Sequence, residues 1–259
     1  MYMGNVKFIN ITEADFLSKK LLFKFMPLEY ALNTLKGHHL WFANPCTWLD
    51  PFEKRFIENK YIIGGTEKDY PWKGRVFCMC MTEKSTSEAY WNTYANNDIG
   101  VSFKFKRKEL LNSLKNYART TNSMLFIGKV VYQKTNVITG KIADNPFLLN
   151  DDGSKIASLG AMETKARLLL LKREAFHYEE EIRFFIVKQK VTKERGFYFD
   201  YVTPNVDIID GLTLDPRLGE LTTELLKDVF SHNYGFMPVN KRVQKSLLYA
   251  QRNAEKIKL

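Results

Sequence analysis

The sequence predicts a single α+β domain. Three observations carry this. Short apolar runs with strand-like alternation recur along the chain, amphipathic helical stretches fall between them, and no repeat or low-complexity linker divides the 259 residues. A chain of this length can bury a large core. Its hydrophobic share of 45% and charged share of 26% are those of folded proteins, which excludes disorder as the main state. Nineteen Phe and 13 Tyr favour strands and leave rings for stacking. The motif-bearing core is expected over about 20–215, with a basic helical C-terminal segment over 216–259.

The elements are expected in this order. Leu21–Met26 ("LLFKFM") reads as a buried strand; "PLEYALNTLKG" follows as a helix, with Pro27 in its first turn and Gly37 as its stop. "HLWFAN" is a strand closed by Pro45. "DPFEKRFIENK" is a helix capped by Asp50, with Pro51 at its first position. Residues 62–74 read as loop. "RVFCMCM" is a strand, "STSEAYWNTYA" a short helix, "GVSFKFK" a strand with alternation, and "KRKELLNSLKNYAR" a basic amphipathic helix. "MLFIGKVVYQK" reads as one long strand and 135–154 as the longest loop. A helix is expected over 154–176, with Glu163 and Arg167 spaced to pair. "EEEIRFFIVKQKV", "GFYFDYV" and "VDIIDGLTL" are strands, "LTTELLKDVF" is a helix, and the basic end is expected to fray.

The net charge of +10 attracts phosphates and makes nucleic acid a reasonable partner, although a basic surface also serves solubility. The three cysteines, Cys46, Cys78 and Cys80, lack a secretion signal and point to a reducing, cytoplasmic setting. Cys78 and Cys80 are two apart on one strand, poor geometry for a disulfide. The four histidines are scattered, so no metal site is expected. No apolar run approaches the roughly 20 residues that cross a bilayer.

Three clusters could carry chemistry. In "TWLDPFEKR", Asp50 and Glu53 are three apart across the first helical turn, where helix capping and a dipole interaction also account for them. In "AYWNTYANNDIGVSF", Trp91 and Tyr94 share a helix face, and Asn96, Asn97 and Asp98 form a turn; this is either core packing or an aromatic wall with amides beside it. In "HYEEEIRFF", alternation puts Glu179, Glu181 and Arg183 on one face and Ile182, Phe184 and Ile186 on the core face. Two carboxylates beside an arginine are costly to bury unless paired, so that face meets water or lines a polar cleft.

These clusters resemble, in order, the bacterial domain-of-unknown-function family 2971. The blocks are "LLFKFM", "LWFANPCTWLDPFE", "VFCMCMTEK…AYWNTYANNDIGVSFKF" and "KREAFHYEEEIRFF", spread over about residues 21–190. Phe23 and Phe25 stand where the family has tyrosines, Met26 where it has Arg, and Leu49 where it has Asn. The family in turn resembles, more remotely, the ADP-ribosyltransferases. That analogy implies a mixed or antiparallel split sheet with flanking helices. It places Lys24 on the first strand, Trp41 to Asn44 on the second and a catalytic Glu181 on a late strand.

The implied chemistry is NAD-dependent ADP-ribosyl transfer, with NAD as substrate and RNA, DNA or protein as acceptor. Glu181 would hold the ribose and stabilise the oxocarbenium-like cation, and Glu179 would position or deprotonate the acceptor. Lys24 or Arg183 would bind the pyrophosphate and Trp91 or Tyr94 would stack on a ring; Phe42, Asn44 and Asp50 complete the expected NAD-binding set. "KFKRKELLNSLKNYAR" and the C-terminal tail are the expected nucleic-acid surfaces. Such enzymes often act as toxins or phage-defence effectors with an antitoxin or chaperone partner. Two other readings stay open. One is a metal-dependent nuclease using Asp50, Glu53, Glu179 and Glu181 for Mg²⁺, with Lys54 or Arg183 on the phosphate. The other is a non-catalytic binding module in which Glu181 and Arg183 merely pair.

Overall fold

Strands dominate the described chain, the central ones buried on both faces, and most of them join one mixed sheet. The computed structural model describes residues 6–63, 66–95, 99–139, 162–201, 208–234 and 242–250. In chain order the first elements are β1 (Val6–Ile9), α1 (Glu13–Ser18), β2 (Leu21–Pro27), α2 (Leu28–Gly37), β3 (His39–Ala43), a 3-10 turn (Pro45–Thr47) and α3 (Pro51–Glu58). Then come β4 (Lys60–Ile63), β5 (Thr66–Asp69), β6 (Val76–Thr82), α4 (Glu88–Ala95), β7 (Gly100–Lys106), α5 (Arg107–Thr120), β8 (Met124–Lys129), β9 (Val131–Gln133) and α6 (Thr135–Thr139). The last are α7 (Met162–Leu168), β10 (Leu171–Arg173), a 3-10 helix (Glu174–Glu179), β11 (Glu181–Val187), β12 (Gly196–Asp200), β13 (Ile209–Leu214), α8 (Glu220–Tyr234) and β14 (Arg242–Lys245).

The main sheet runs β1-β8-β11-β6-β2-β7-β13-β14, with β3 on β6 and β12 on β3. The β1–β8 and β13–β14 pairs are parallel and the others antiparallel, so the sheet is mixed. One edge of β6 pairs along its whole length with β11, from Thr82↔Glu181 to Val76↔Val187. Its other edge meets β2 only at Phe23↔Thr82 and β3 only at Ala43↔Cys78. The sheet therefore splits along β6. A split strands backbone groups that a ladder would have satisfied. The Cys80 carbonyl is one such group, and it accepts from Lys24 Nζ at 3.0 Å.

Alternation divides the core between the two sheet faces. Phe77, Met79, Ile182, Phe184 and Ile186 pack on one side, against Leu110, Leu111 and Leu114 of α5. Val76, Cys78, Phe185 and Val187 face the other, with Phe56 and Ile57 of α3 and the run Leu168–Leu171. The strand period thus sorts β11 as read from sequence. Asp50 caps α3 as expected, its Oδ1 accepting from the Phe52 N–H at 2.9 Å, with Pro51 in the first turn.

Several elements differ from the sequence reading. Part of the expected loop at 62–74 is the β4–β5 hairpin, paired from Lys60↔Asp69 to Ile63↔Thr66. The long strand at 124–134 breaks at Val130, whose N–H donates to the Glu181 carbonyl, and its second half pairs with β10 in a separate two-stranded sheet. Within the expected helix at 154–176, α7 ends at Leu168, and a turn leads into β10 and the 3-10 helix. Glu163 pairs there with Lys7 of β1 at 2.9 Å. The basic end contributes β14, a strand, within the stretch expected to be helical or frayed. Asn96, Asn97, Asp98 and residues 140–154 lie outside the described residues. Among the described residues no helix is long and apolar enough to cross a membrane.

Candidate active site

The cleft opens where β2 and β3 part from β6. It encloses about 560 Å³, within the range of small-molecule sites. Lys24, Phe25, Met26 and Pro27 of β2 form one wall, Leu40 and Trp41 of β3 another, and α2 residues Tyr30, Asn33 and Thr34 line it together with Tyr94 and Tyr198. A smaller pocket of about 80 Å³ adjoins it, lined by Lys24, Phe25 and Tyr94 in common with the larger space and by Cys80, Thr82, Tyr90 and Glu181. Lys24, Tyr94 and Glu181, from three different elements, therefore meet at one place.

Behind Glu181 lies a buried chain of charges. Arg183 Nε donates to Glu181 Oε2 at 2.7 Å, and Lys172 Nζ donates to Glu181 Oε1 at 2.6 Å. Lys172 also bonds Glu179, and Arg183 Nη2 bonds Glu53 Oε1. Arg183 Nη1 reaches the Leu169 carbonyl at 2.8 Å, and its guanidinium lies 4.7 Å from the Trp48 ring centroid. Five buried ionisable side chains are stable only when paired, and here each has a partner. Glu180 supplies the local geometry: its left-handed backbone (φ 42°) joins the 3-10 helix to β11, and the flanking carboxylates both end on Lys172. The strand face read from sequence as open to water or to a cleft is thus packed against Lys172, Glu53 and Trp48, with Glu181 also lining the inner pocket. Glu179 lies before the strand, not on it.

The electrostatics separate the two glutamates. Burial raises the Glu181 carboxyl, but Arg183, then Glu179 and Lys172, outweigh it and hold the group well below the usual carboxylate range. Burial pushes Glu179 up to about 9, helped by its hydrogen bond to Glu181 and by that carboxylate's charge, with Lys172 opposing. The pair is thus driven apart, Glu181 toward the ionised form and Glu179 toward the protonated one. Burial lowers the Lys24 ammonium against the pull of Cys80, Cys78 and Glu181. Burial raises the Tyr94 and Tyr132 phenols. The Glu181 N–H donates to Tyr132 Oη at 2.9 Å, and Thr82 Oγ1 and Tyr90 Oη donate to the Glu179 carbonyl, which fixes the backbone on both sides of Glu180.

The other residues expected in the site divide between the cleft wall and the packing behind it. Trp91 is buried and meets Phe25 edge-on, with centroids 4.8 Å apart; it supports the cleft wall from behind. Tyr94 instead stacks on Tyr90, its neighbour at helical spacing, and faces the cleft. Phe42 is fully buried and stacks on Phe197. Asn44 caps the 3-10 turn, its Oδ1 accepting from the Cys46 N–H at 3.0 Å, while Nδ2 donates to the Glu194 carbonyl. Asp50 spends its second oxygen on Arg173 Nε at 3.3 Å. Arg183 is enclosed by Glu53, Glu181 and Leu169. Lys172 was missed, although a lysine ending the run "LLLLK" is a sequence signal for a buried, paired cation. Cys78 and Cys80 are free thiols with sulfurs 3.9 Å apart.

The acidic residues that a nuclease would turn toward Mg²⁺ all face cations: Asp50 faces Arg173, Glu53 faces Arg183, Glu179 faces Lys172, and Glu181 faces both Lys172 and Arg183. No group of three His, Cys, Asp or Glu side chains among the described residues is placed to hold a metal ion.

Fold and site define a mixed α/β protein whose sheet splits over a cleft ending at an ionised, cation-held glutamate. Within that class the chain is similar to one family: the family model described as "Protein of unknown function (DUF2971)" matches residues 90–184. The match runs from α4 into β11 and holds Tyr94, Lys172, Glu179, Glu181 and Arg183. It supports the family resemblance carried by the later part of the third sequence block and by the fourth; the first two blocks and "VFCMCMTEK" lie outside it. No curated protein and no solved structure matches the chain.

Proposed function

We propose that the protein cleaves NAD and transfers its ADP-ribosyl group to an acceptor. One observation carries the reading. A glutamate kept ionised by Arg183 and Lys172 lines an inner pocket, and two of its co-lining residues, Lys24 and Tyr94, also line a cleft of nucleotide size. The reaction breaks the bond between ribose C1′ and the nicotinamide nitrogen, whose electron pair leaves with the neutral base. The ribose becomes oxocarbenium-like, and a fixed carboxylate lowers the energy of that cation. Glu181 accepts from Lys172, Arg183 and Glu179, and its carboxylate keeps acceptor capacity for a ribose hydroxyl. Lys24 binds phosphate and Tyr94 packs on a ring. Glu179 faces Lys172 and is driven toward the protonated form, so it acts by positioning Lys172; the acceptor attacks C1′ and gives its proton to water.

The test is incubation with NAD and cellular RNA, DNA or protein, following nicotinamide release and ADP-ribosyl label. Glu181→Gln keeps the shape and removes the charge, and its melting curve shows whether the fold survives. Release and label fall at least about a hundredfold in that folded variant, the scale seen when one electrostatic stabiliser is removed. No release at millimolar NAD with any acceptor, or full activity in the variant, defeats the proposal and leaves a binding module.

A further inference from the structure

The outer part of the cleft is a shelf of exposed rings. Trp41 and Tyr198 are register partners across the β3–β12 ladder, with centroids 4.8 Å apart. Tyr30 comes in from α2. Tyr30 is 61% exposed, Trp41 41% and Tyr198 50%, although all three line a concave space. A ring that packs for stability gives its faces to the core, as Trp91 does. Rings that line a cleft and still meet solvent are suited to receive another ring. Asn33 Nδ2 donates to Tyr198 Oη at 3.3 Å, which steadies that ring and puts an amide at the cleft wall.

Going inward, the same cleft reaches Lys24, which gives one of its three N–H donors to the Cys80 carbonyl. Beyond Lys24 the inner pocket reaches Glu181. Ring shelf, cation and carboxylate therefore follow one another in the order in which a dinucleotide presents base, phosphates and the distal ribose. An apolar peptide side chain would have no use for the ammonium behind the shelf.

We infer that Trp41, Tyr198 and Tyr30 seat an adenine-type base, with its phosphates running inward past Lys24. The inference rests on the NAD reading and assigns its purine end.

Calorimetric titration with AMP and with ribose 5-phosphate tests it on the full chain. AMP binds, ribose 5-phosphate binds at least about tenfold more weakly, and Trp41→Ala and Tyr198→Ala each weaken AMP by about tenfold, the scale of one lost stacking partner. Tyr198→Leu keeps apolar bulk without a π face and shows the same loss. Melting curves confirm that each variant is folded. Equal affinity for the two ligands, unchanged AMP affinity in the folded variants, or no AMP binding at millimolar concentration overturns the shelf. Nicotinamide release is followed in parallel. AMP binding without NAD cleavage keeps the shelf and removes the transferase, whereas cleavage with an unchanged KM in Trp41→Ala keeps the transferase and removes the shelf.

Discussion

Glu179 and Glu181 are two positions apart, and their environments drive them to opposite protonation states. The reason is a count of charges. Lys172 and Arg183 supply two cations to a buried space that also holds Glu53 and Glu181. With Glu179 protonated the group is neutral; with Glu179 ionised it carries an uncompensated charge. The sign follows by linkage. Folding raises the Glu179 carboxyl from 4.5 to about 9, so its contribution to stability is fully present below 4.5 and is lost as pH rises toward 9. Glu181 works the other way: its depressed carboxyl stabilises above the ordinary range and that gain is lost only in acid. Glu179→Gln removes the first dependence. Its stability relative to the parent should therefore climb from pH 5 to pH 9, by on the order of 1 kcal/mol per pH unit at most. Urea unfolding at pH 5, 7 and 9 reads this out, and parallel profiles would sink it. The shared face of Glu181 and Arg183 was legible from alternation around "EEEIRFF", whereas Glu179 precedes the strand and the partners of all three were not legible. Lys172 is close in sequence, yet it was read as part of a helix. Glu53 lies 130 positions from Arg183, and no local pattern encodes that pairing.

At the scale of elements, the β3–β12 ladder sets the outer wall of the cleft and depends on one glycine. A methyl group on Gly196 would fall onto the Trp41 indole and within 2.5 Å of the Phe42 carbonyl oxygen. The indole could swing away, but the carbonyl belongs to the ladder itself. Gly196→Ala is expected to destabilise the protein by about 1–3 kcal/mol, the usual scale of overpacking, and to weaken AMP binding by displacing Trp41. A parental melting temperature together with parental AMP affinity would contradict this packing. Trp41 was readable in principle: alternation in "HLWFAN" puts Leu40 and Phe42 on one face and Trp41 on the other, and the structure buries the first two and exposes the third. Strand β7 was legible from the alternation in "GVSFKFK", and β11 from alternation in "EIRF" that runs on into an apolar stretch. The β4–β5 hairpin was not, since "TEKD" is polar and exposed throughout and joins β4 through its backbone ladder and the Lys60–Asp69 ion pair, without an apolar face. The strand order was also out of reach, because β6 finds β11 about a hundred residues later through contacts that no local pattern fixes.

Over the whole molecule the charge of +10 is a surplus, and local pairing absorbs much of what is visible. Lys7, Lys54, Lys60, Lys73, Lys84 and Lys115 all sit within ion-pair distance of acids. The helix read from sequence as a nucleic-acid surface is a case in point. Arg107 is buried, bonding the Phe16 and Leu21 carbonyls and Glu83, and Lys115 faces Glu13. Lys108 is among its cations that remain exposed. The C-terminal stretch 251–259 lies outside the described residues. An attraction built this way is a property of the summed field, so it has long range, little sequence preference and strong sensitivity to salt. If the acceptor is RNA or DNA, neutralising even three phosphates makes affinity fall about 20-fold for a single strand and about 40-fold for a duplex between 50 and 200 mM salt. Lys108→Ala should change it by less than about threefold, since one charge adds little to a distributed field. Filter binding of single-stranded RNA and duplex DNA across that salt range measures both. Affinity that ignores salt, or that collapses with Lys108 alone, would mean that a localised site does the binding, and the acceptor would then have to be sought through specific contacts instead of net charge.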